Sequence, residues 1–430
     1  MSMTSSLLKW ITSLFKLRPE MVELKNEKCS TFPLGKLPFL ALQEVIRNMD
    51  IQEGIRLALT SRKMGFYVKY SRLSAGCPIV TIKDEMSNVI VKLSNIASVF
   101  LYNGFNADEK LEKTDKDNYI RRRELAPWLN PTLSTLQNTQ NILVQIQNTF
   151  KCGRFRLVID LRCIQTTIKN VLSVSDFQNF ETLNLIKGKL KEEDMNYLME
   201  NVKEDQDLHI LDTEIPNNYY HTNVSFQYMF KFYDIVYEDA RFVKIEHLLT
   251  IKNNFIISLG KNNLTLSDIN TFLKYWINSE CDLFKKMTIK TTEEIGEETE
   301  SNLDILFNGL VVLKGFRFGW ESWLIAAKSV EPRKTHILCF ELYPEEICLY
   351  AHSIEERLLT EDPKVDDEPY EPEFEILKLL EKKKDLEETM RIEENNERKL
   401  EIEKELEELD LQLLEKGVRM EQGRHVFGSV

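Results

Sequence analysis

The stretch "NNFIISLGKNNLTLSDINTFLKYWINSECDLFKKMTIK", residues 253–290, decides the fold of this chain. Its first and last parts have the apolar, β-branched character of strands. Its middle part places apolar residues at the spacing of an amphipathic helix. The stretch therefore predicts the order strand, turn, helix, strand, which is one unit of an α/β architecture.

Similar units precede this stretch. Strand-like segments begin at residues 154, 180 and 207, at spacings of 26 and 27 residues, with helical segments between them. Residues 189–199 also align with residues 263–273, and both place an aspartate near a helix start, where a carboxylate favours the helix dipole. Such a repeat is typical of leucine-rich-repeat solenoids, which offer a curved binding surface. The strict leucine pattern is missing, so an ordinary α/β domain with chance periodicity stays open as the alternative.

Further strands are predicted on both sides of these units. Residues 79–84 and 88–94 alternate in the manner of a hairpin, and residues 309–343 read as three or four antiparallel strands. An α/β body is therefore predicted over residues 78–352, and the chain as a whole is predicted to be α+β.

The stretch "LPFLALQEVIRNMDIQEGIRLALTSRK", residues 37–63, predicts a helical unit within residues 32–75. Pro38 suits the first turn of a helix, where its missing N–H costs nothing. Asp50 and Glu53 have the spacing of a capping box, which predicts the start of a second helix. Three short helices cannot bury all of their apolar side chains by themselves. A partner or a neighbouring domain is therefore expected to cover the remainder.

The N-terminal extension, residues 1–30, contains an amphipathic segment at residues 6–18. Its apolar residues recur at helical spacing beside Trp10 and several basic residues. Such a segment can lie on a membrane surface or pack against the body of the protein.

The C-terminal part is predicted to be an acidic linker at residues 353–375 and a long charged helix at residues 376–417, which Gly417 ends. The helix carries a coiled-coil-like seam, so it can dock alone on the body, fold back as a hairpin, or form a dimer. The seam consists of Ile402, Leu406, Leu409 and Leu413.

Charge and cysteine content limit the class of protein. Residues 361–416 contain 22 acidic and 10 basic residues, which accounts for most of the net charge of −13. A nearly neutral body with an acidic tail argues against nucleic-acid binding, which needs a basic face. The seven cysteines form no CxxC pair, which indicates reduced thiols in an intracellular protein.

The sequence predicts a protein that is not an enzyme. It contains no glycine-rich phosphate loop, no GxSxG and no HExxH motif, and its six histidines are isolated from one another. A metal site needs several ligands at close spacing, so neither a metal nor a cofactor is expected. No apolar run reaches the roughly 20 residues that a membrane-spanning helix needs.

The helical unit resembles the F-box motif. Leu37 and Pro38 match its opening Leu-Pro pair, and Asp50 matches the junction of its helices. Gly54, Leu40 and Met64 depart from the motif, which usually has Leu, Glu and Trp there. The resemblance implies that this unit binds an adaptor subunit through Leu37, Pro38, Leu42, Val45, Ile46, Met49, Ile55 and Leu59.

Residues 242–289 are similar to the type 2 F-box-associated domain of nematode-type F-box proteins, and the whole resemblance covers most of residues 32–385. It implies a non-catalytic substrate-recognition subunit of an SCF-type, cullin–RING ubiquitin ligase. The F-box would bind the adaptor and, through it, the cullin, while the α/β domain would bind an unknown substrate protein in the cytoplasm, the nucleus or both. The alternative is a repeat-like protein-interaction scaffold without a ubiquitin ligase.

Overall fold

The computed structural model describes residues 34–84, 87–92, 98–103, 119–215, 226–293, 295, 300–317, 320–328, 331–356 and 369–428. Within these residues, short helices precede a strand-rich body with a 16-stranded mixed sheet, and long helices follow it. The predicted α+β class is therefore confirmed.

The described helices fall into four groups along the chain. Three form the N-terminal unit, five are distributed through the parallel and mixed parts of the body, one lies before the last strands, and two are C-terminal. Their bounds are α1 Phe39–Arg47, α2 Ile51–Thr60, α3 Arg62–Ser71, α4 Thr135–Thr149, α5 Ile168–Leu172, α6 Glu192–Asn201, α7 Ile245–Leu248, α8 Leu266–Asn278, α9 Glu300–Leu306, α10 Glu371–Ile392 and α11 Asn396–Glu415.

The strands alternate with these helices in the first part of the body and follow one another in the last part. In chain order they are β1 Ser74–Gly76, β2 Ile79–Ile82, β3 Asn88–Lys92, β4 Ser98–Tyr102, β5 Tyr119–Ile120, β6 Lys151–Cys152, β7 Phe155–Asp160, β8 Phe180–Lys189, β9 Asp207–Glu214, β10 Asp234–Asp239, β11 Asn254–Lys261, β12 Phe284–Lys290, β13 Leu313–Arg317, β14 Trp320–Ala326, β15 Ile337–Tyr343, β16 Glu346–His352, β17 Arg419–Glu421 and β18 Arg424–Phe427.

The large sheet has the order β17-β18-β13-β14-β15-β16-β12-β11-β10-β9-β8-β7-β2-β3-β4-β5. Strands β7 to β12 are parallel neighbours in chain order. Right-handed crossovers between sequential neighbours put the connecting segments on one face of the sheet. The strand–helix rhythm of the sequence thus corresponds to a run of parallel strands that pair in chain order.

The pleat of each strand sends alternate side chains to opposite faces of the sheet. Because apolar residues recur at every second position, one face of this run is apolar. The aligned residues of this face are fully buried, and they share one core with Ile142 of α4, Met195 of α6 and Phe272 of α8. The buried row consists of Val80, Leu157, Leu183, Leu208, Ile235, Ile257, Met287 and Leu349.

Two buried amide side chains join successive units. The Gln206 Nε2 donates to the carbonyl oxygens of Gln178 and Phe180, at 2.9 and 2.8 Å. The Asn254 Nδ2 donates in the same way to Phe230 and Phe232, at 2.8 and 2.6 Å. Each amide satisfies buried carbonyl groups of the preceding turn, which would otherwise lack hydrogen-bond partners.

Strands β13 to β16 are antiparallel to one another, as predicted. Their two faces are both covered. Trp323 and Phe340 point into the main core, whereas Leu324 and Cys339 pack in a second core with α10, including Leu377. The C-terminal helices therefore cover the face of the sheet that is opposite to the main core.

The predicted linker at residues 353–375 and single helix at residues 376–417 need correction. Helix α10 already begins at Glu371, and residues 393–395 separate it from α11. The Asn395 side chain accepts a hydrogen bond from the Glu397 N–H at 2.9 Å, which starts a new helix there. Gly417 follows α11 with a φ of 82°, as predicted.

The two C-terminal helices form an antiparallel hairpin. Lys416 pairs with Glu375 at 2.6 Å, and Lys383 near the middle of α10 pairs with Asp410 of α11. The hairpin is one of the three arrangements that the sequence left open. Its seam is turned inward, since Ile402, Leu409 and Leu413 are buried within the chain.

The N-terminal extension, with its amphipathic segment at residues 6–18, lies outside the described residues. Among the helices that are described, none is long and apolar enough to cross a membrane.

Candidate functional site

The helical unit is set up by local caps. Helix α1 starts after Pro38, which precedes the helix and does not lie inside its first turn. Asp50 and Glu53 form the predicted capping box, in which the Glu53 N–H donates to the Asp50 Oδ1 at 2.7 Å. Ser61 caps α3 by accepting from the Met64 N–H at 3.2 Å. These caps fix where α2 and α3 begin.

The structure divides the predicted adaptor-binding residues into two sets. Pro38 is exposed, and Leu37, Val45 and Met49 are half-buried. The other four are packed inside the helical unit, so direct contact with a partner is a prediction only for the first set. The buried four are Leu42, Ile46, Ile55 and Leu59.

An aromatic patch covers the outer side of α1 and α3, and we define it as Phe39, Leu40, Phe66, Tyr67 and Tyr70. Leu40 is 74% exposed, and the rings of Phe39, Phe66 and Tyr70 are about half exposed. The Phe66 and Tyr70 ring centroids are 4.3 Å apart, and those of Phe39 and Tyr67 are 5.7 Å apart. Aromatic side chains of this kind dominate the energetics of protein interfaces.

The sequence did not predict this patch, and its only member named above is Leu40, as a departure from the F-box motif. The signal was present, because Phe66 and Tyr70 stand four residues apart and therefore share one side of a helix. The apolar pattern of α1 was assigned to the partner, although part of it is needed for the packing of the unit itself.

The remaining apolar surface of the unit is covered by the body. A Cβ atom added at Gly54 would lie 2.7 Å from the Leu73 Cδ1 and 3.4 Å from the Phe150 ring. The Arg56 guanidinium also lies 3.5 Å from the Glu124 carboxylate. Gly54 thus allows a close approach of α2 to the body, which is a physical reason for its departure from the motif.

A second surface is the face of the parallel sheet that is opposite to the main core, which we call the open face. Its first row of aligned side chains runs across the strands from Arg156 of β7 to Lys286 of β12, and most members are partly exposed. The row consists of Arg156, Thr182, Asp207, Asp234, Ile256 and Lys286.

The middle of the open face is acidic. Asp207 and Asp234 lie on neighbouring strands, and burial, followed by the charge of Asp207, raises the pKa of Asp234 above its ordinary value. The Thr182 hydroxyl donates to the Asp207 Oδ2 at 2.8 Å. Burial also lowers the pKa of His209, in the next row, although Asp207 opposes this effect.

No group of three or more His, Cys, Asp or Glu side chains in the described part of the chain is arranged to hold a metal ion. The six cysteines that the structure describes are free thiols, and burial raises the pKa of Cys152 to about 11, with a smaller contribution from Cys77. A thiol with a raised pKa is a poor nucleophile, because the thiolate is the reactive form.

Comparison with protein families gives a match at residues 225–289, to the family described as F-box associated. The chain carries an F-box-associated domain. The match includes β10 to β12 with α7 and α8, and it does not include helices α1 to α3. The comparison with curated proteins found no match. The comparison with solved structures found none either.

The F-box-associated domain supplies one half of the open face, with Asp234, Ile256 and Lys286 in the first row. Domains of this family are typically non-catalytic interaction modules. Two surfaces of the chain are thus suited to binding: the aromatic patch on the helices, and the open face that the domain shares with the preceding strands.

Proposed function

We propose that this chain is the non-catalytic substrate-recognition subunit of an SCF-type, cullin–RING ubiquitin ligase. Helices α1 to α3 dock the adaptor subunit inside the cell, and the α/β body binds a substrate protein. The observation that carries the proposal is the aromatic patch, exposed on a helical unit that precedes an F-box-associated domain.

The aromatic patch has the character of a docking site. Three large rings and a leucine are exposed side by side, and the Lys63 ammonium lies 5.7 Å from the Tyr67 ring centroid at its edge. An exposed cluster of apolar side chains with a polar rim is typical of a protein–protein contact. Burying the patch in an interface stabilises the complex by about 25 cal/mol for each Å² of apolar surface removed from water.

The buried residues of the unit contribute indirectly. Leu42, Ile46 and Ile55 hold α1 to α3 together, and Gly54 brings α2 against Phe150 of the body. A rigid junction keeps a bound substrate at a fixed distance from the adaptor. Ubiquitin transfer gains from such positioning, because it makes a bimolecular encounter nearly intramolecular.

The test is a binding measurement between the full chain and the purified adaptor, with two substitutions in the patch. We expect Leu40→Glu and Phe66→Glu each to weaken binding at least about thirtyfold, since central interface residues contribute about 2 kcal/mol or more. Both side chains are exposed, so the fold should persist, as judged by circular dichroism and thermal unfolding.

Leu411→Glu is the matched control, because Leu411 is an exposed leucine on a helix far along the chain, 61% exposed. It adds the same charge, and adaptor binding should stay unchanged. Equal binding by the wild type and both patch variants would refute the proposed docking site. Leu37→Ala is less informative, since Leu37 is also packed against the core.

A protein-interaction scaffold without a ligase is the second candidate. It is favoured by the contacts of α2 with Phe150 and Glu124, through which the helical unit packs on its own body. In that case the folded wild-type chain does not bind the adaptor at all, whereas the body still binds its partner protein.

A further inference from the structure

The open face carries charges in a symmetric order. Arg156 lies on β7, Asp207 and Asp234 lie on the neighbouring strands β9 and β10, and Lys286 lies on β12. One strand separates Arg156 from Asp207, and one separates Asp234 from Lys286. The first row is therefore positive at both ends and negative in the middle.

These four charges have no ion-pair partner within 4.0 Å among the residues that the structure describes. From the described residues, Asp207 accepts one hydrogen bond, from the Thr182 hydroxyl, and the Asp234 Oδ1 accepts the Ile256 N–H at 3.1 Å. The Lys286 ammonium lies 5.1 Å from the Tyr350 ring centroid. Two carboxylates on adjacent strands repel each other, so an added cation between them relieves an unfavourable arrangement.

The apolar end of the same face is covered by another part of this chain. Beyond Lys286, the first row continues through Tyr350 and Cys339 to Leu324. There the hairpin of α10 and α11 covers it, with Leu377 in the contact. The chain's own helices thus occupy the apolar end of the row and leave the charged end open. An occupant of the charged end must complement its charges.

We propose that the open face binds an extended segment of the substrate protein with a central arginine or lysine between Asp207 and Asp234. Acidic residues on both sides of this central residue reach Arg156 and Lys286. This inference rests on the proposed function, because it names the substrate class of the same receptor.

The geometry sets the spacing of this segment. Neighbouring strands lie about 4.8 Å apart, so the midpoint between Asp207 and Asp234 is about 12 Å from Arg156 and from Lys286 along the row. An extended chain advances about 3.3 Å per residue. The acidic residues are thus expected three or four positions before and after the central basic residue. The second row has His209 and Val236 at its centre, with the shorter side chains of Val158, Asn184 and Ser258 on either side.

The experiment compares two labelled synthetic peptides on the full chain by fluorescence anisotropy. One peptide has glutamates about four positions before and after a central arginine. The other has the opposite order, with a central glutamate and flanking arginines. We expect the first to bind about tenfold more tightly at low salt, and the preference to shrink as salt screens the charges. Equal binding of the two peptides, or no binding of either, overturns the proposal.

A charge reversal gives the sharper test. Asp207→Lys with Asp234→Lys makes the row positive throughout, so the preference between the two peptides should be lost. Glu192→Lys with Glu193→Lys is the matched control, because these exposed residues lie on α6, and it should keep the wild-type preference. Should the charge-reversal variant fail to fold, Asp207→Asn with Asp234→Asn should weaken the preference, because only the charges of Arg156 and Lys286 then discriminate between the peptides. An unchanged preference in the folded variant also overturns the proposal.

The peptide measurement is independent of the adaptor. A chain that discriminates the peptides without binding the adaptor would refute the ligase role and keep the open-face site. A chain that binds the adaptor through the aromatic patch but does not discriminate the peptides would keep the ligase role and refute the open-face site.

Discussion

The guanidinium carbon of Arg333 lies 3.7 Å from the centroid of the Trp276 ring, and the arginine side chain is fully buried. The Arg333 Nη1 also donates to the Trp276 carbonyl oxygen at 2.6 Å and to that of Ser279 at 3.3 Å. A cation at this position favours the C-terminal end of α8. This one side chain thus joins the loop before β15 to the central helix of the F-box-associated domain.

Arg333→Met is expected to lower the free energy of unfolding by about 3 kcal/mol, because it removes a desolvated cation–π contact and two charged hydrogen bonds. Arg333→Lys should recover only part of the loss, since an ammonium cannot stack as a plane. Urea unfolding measures both. Arg154→Met is the control, as it breaks a surface pair with Asp205 and should cost less than about 1 kcal/mol. Equal losses would contradict the central role of Arg333.

Asp282 is expected to make stability depend on acid pH. Burial raises its pKa, but hydrogen bonds from Thr335 and Lys334 outweigh burial and hold the pKa below its ordinary value. As the pH falls, the unfolded chain therefore binds this proton at a higher pH than the folded chain does. The stability that Asp282 contributes is fully present above its ordinary pKa and is lost as the pH falls through the lower pKa of the folded state. Asp282→Asn should lower the urea midpoint at neutral pH. The midpoint of this variant should also decrease less than that of the wild type as the pH is lowered. A variant with the same acid profile as the wild type would refute this.

Gly54 is expected to tolerate a small side chain and to reject a large one. The contact of an added Cβ is with the mobile end of Leu73, and alanine gains about 1 kcal/mol of helix propensity over glycine. Gly54→Ala should therefore stay within about 1 kcal/mol of the wild type. Gly54→Leu, which restores the usual F-box residue, should destabilise by about 1–3 kcal/mol through overpacking against Phe150. Thermal unfolding measures the stability of both variants. A Gly54→Leu variant that is more stable than the wild type would contradict the expected overpacking against Phe150.

Leu42 and Leu40 are expected to separate stability from binding. Leu42 is 1% exposed, so Leu42→Ala should cost about 2–5 kcal/mol of unfolding free energy. Leu40→Ala should change stability by no more than about 0.5 kcal/mol, because its side chain is largely in solvent. Chemical unfolding of the pair measures this difference. Similar losses would mean that Leu40 is covered by the chain itself.

The C-terminal hairpin is expected to form within one chain and not between the chains of a dimer. Leu409→Glu places a charge in the buried seam and should increase proteolysis near residues 393–395, without changing the mass in light scattering. Leu414→Glu is the control, since Leu414 is 65% exposed on the same helix. A wild-type dimer that Leu409→Glu dissociates would refute the intramolecular hairpin.

The candidate site was only partly predictable. The capping box of Asp50 and Glu53 is a short-range pattern, and the structure contains it as predicted. The division of α1 into buried and exposed sides was not predictable, because both Leu40 and Leu42 are leucines in one short helix. Which of them faces the core depends on where α3 and the body lie.

Periodicity determined the architecture of the body. Apolar alternation and the strand–helix rhythm predicted the parallel units, since a strand that is buried on one face must repeat every second residue. The isolated histidines and the absence of catalytic motifs in the sequence predicted a binding protein and not an enzyme. These are properties of local composition, which the chain carries in any conformation.

Only the tertiary structure decided which distant residues meet. The strand register aligned Arg156, Asp207, Asp234 and Lys286 in one row, although 130 positions separate the first from the last in the sequence. Folding back after residue 393 turned the seam of α11 inward, and long-range packing placed Arg333 on Trp276. Local sequence fixes periods and caps, whereas contacts between distant segments depend on the packing of the whole chain, which no short pattern contains.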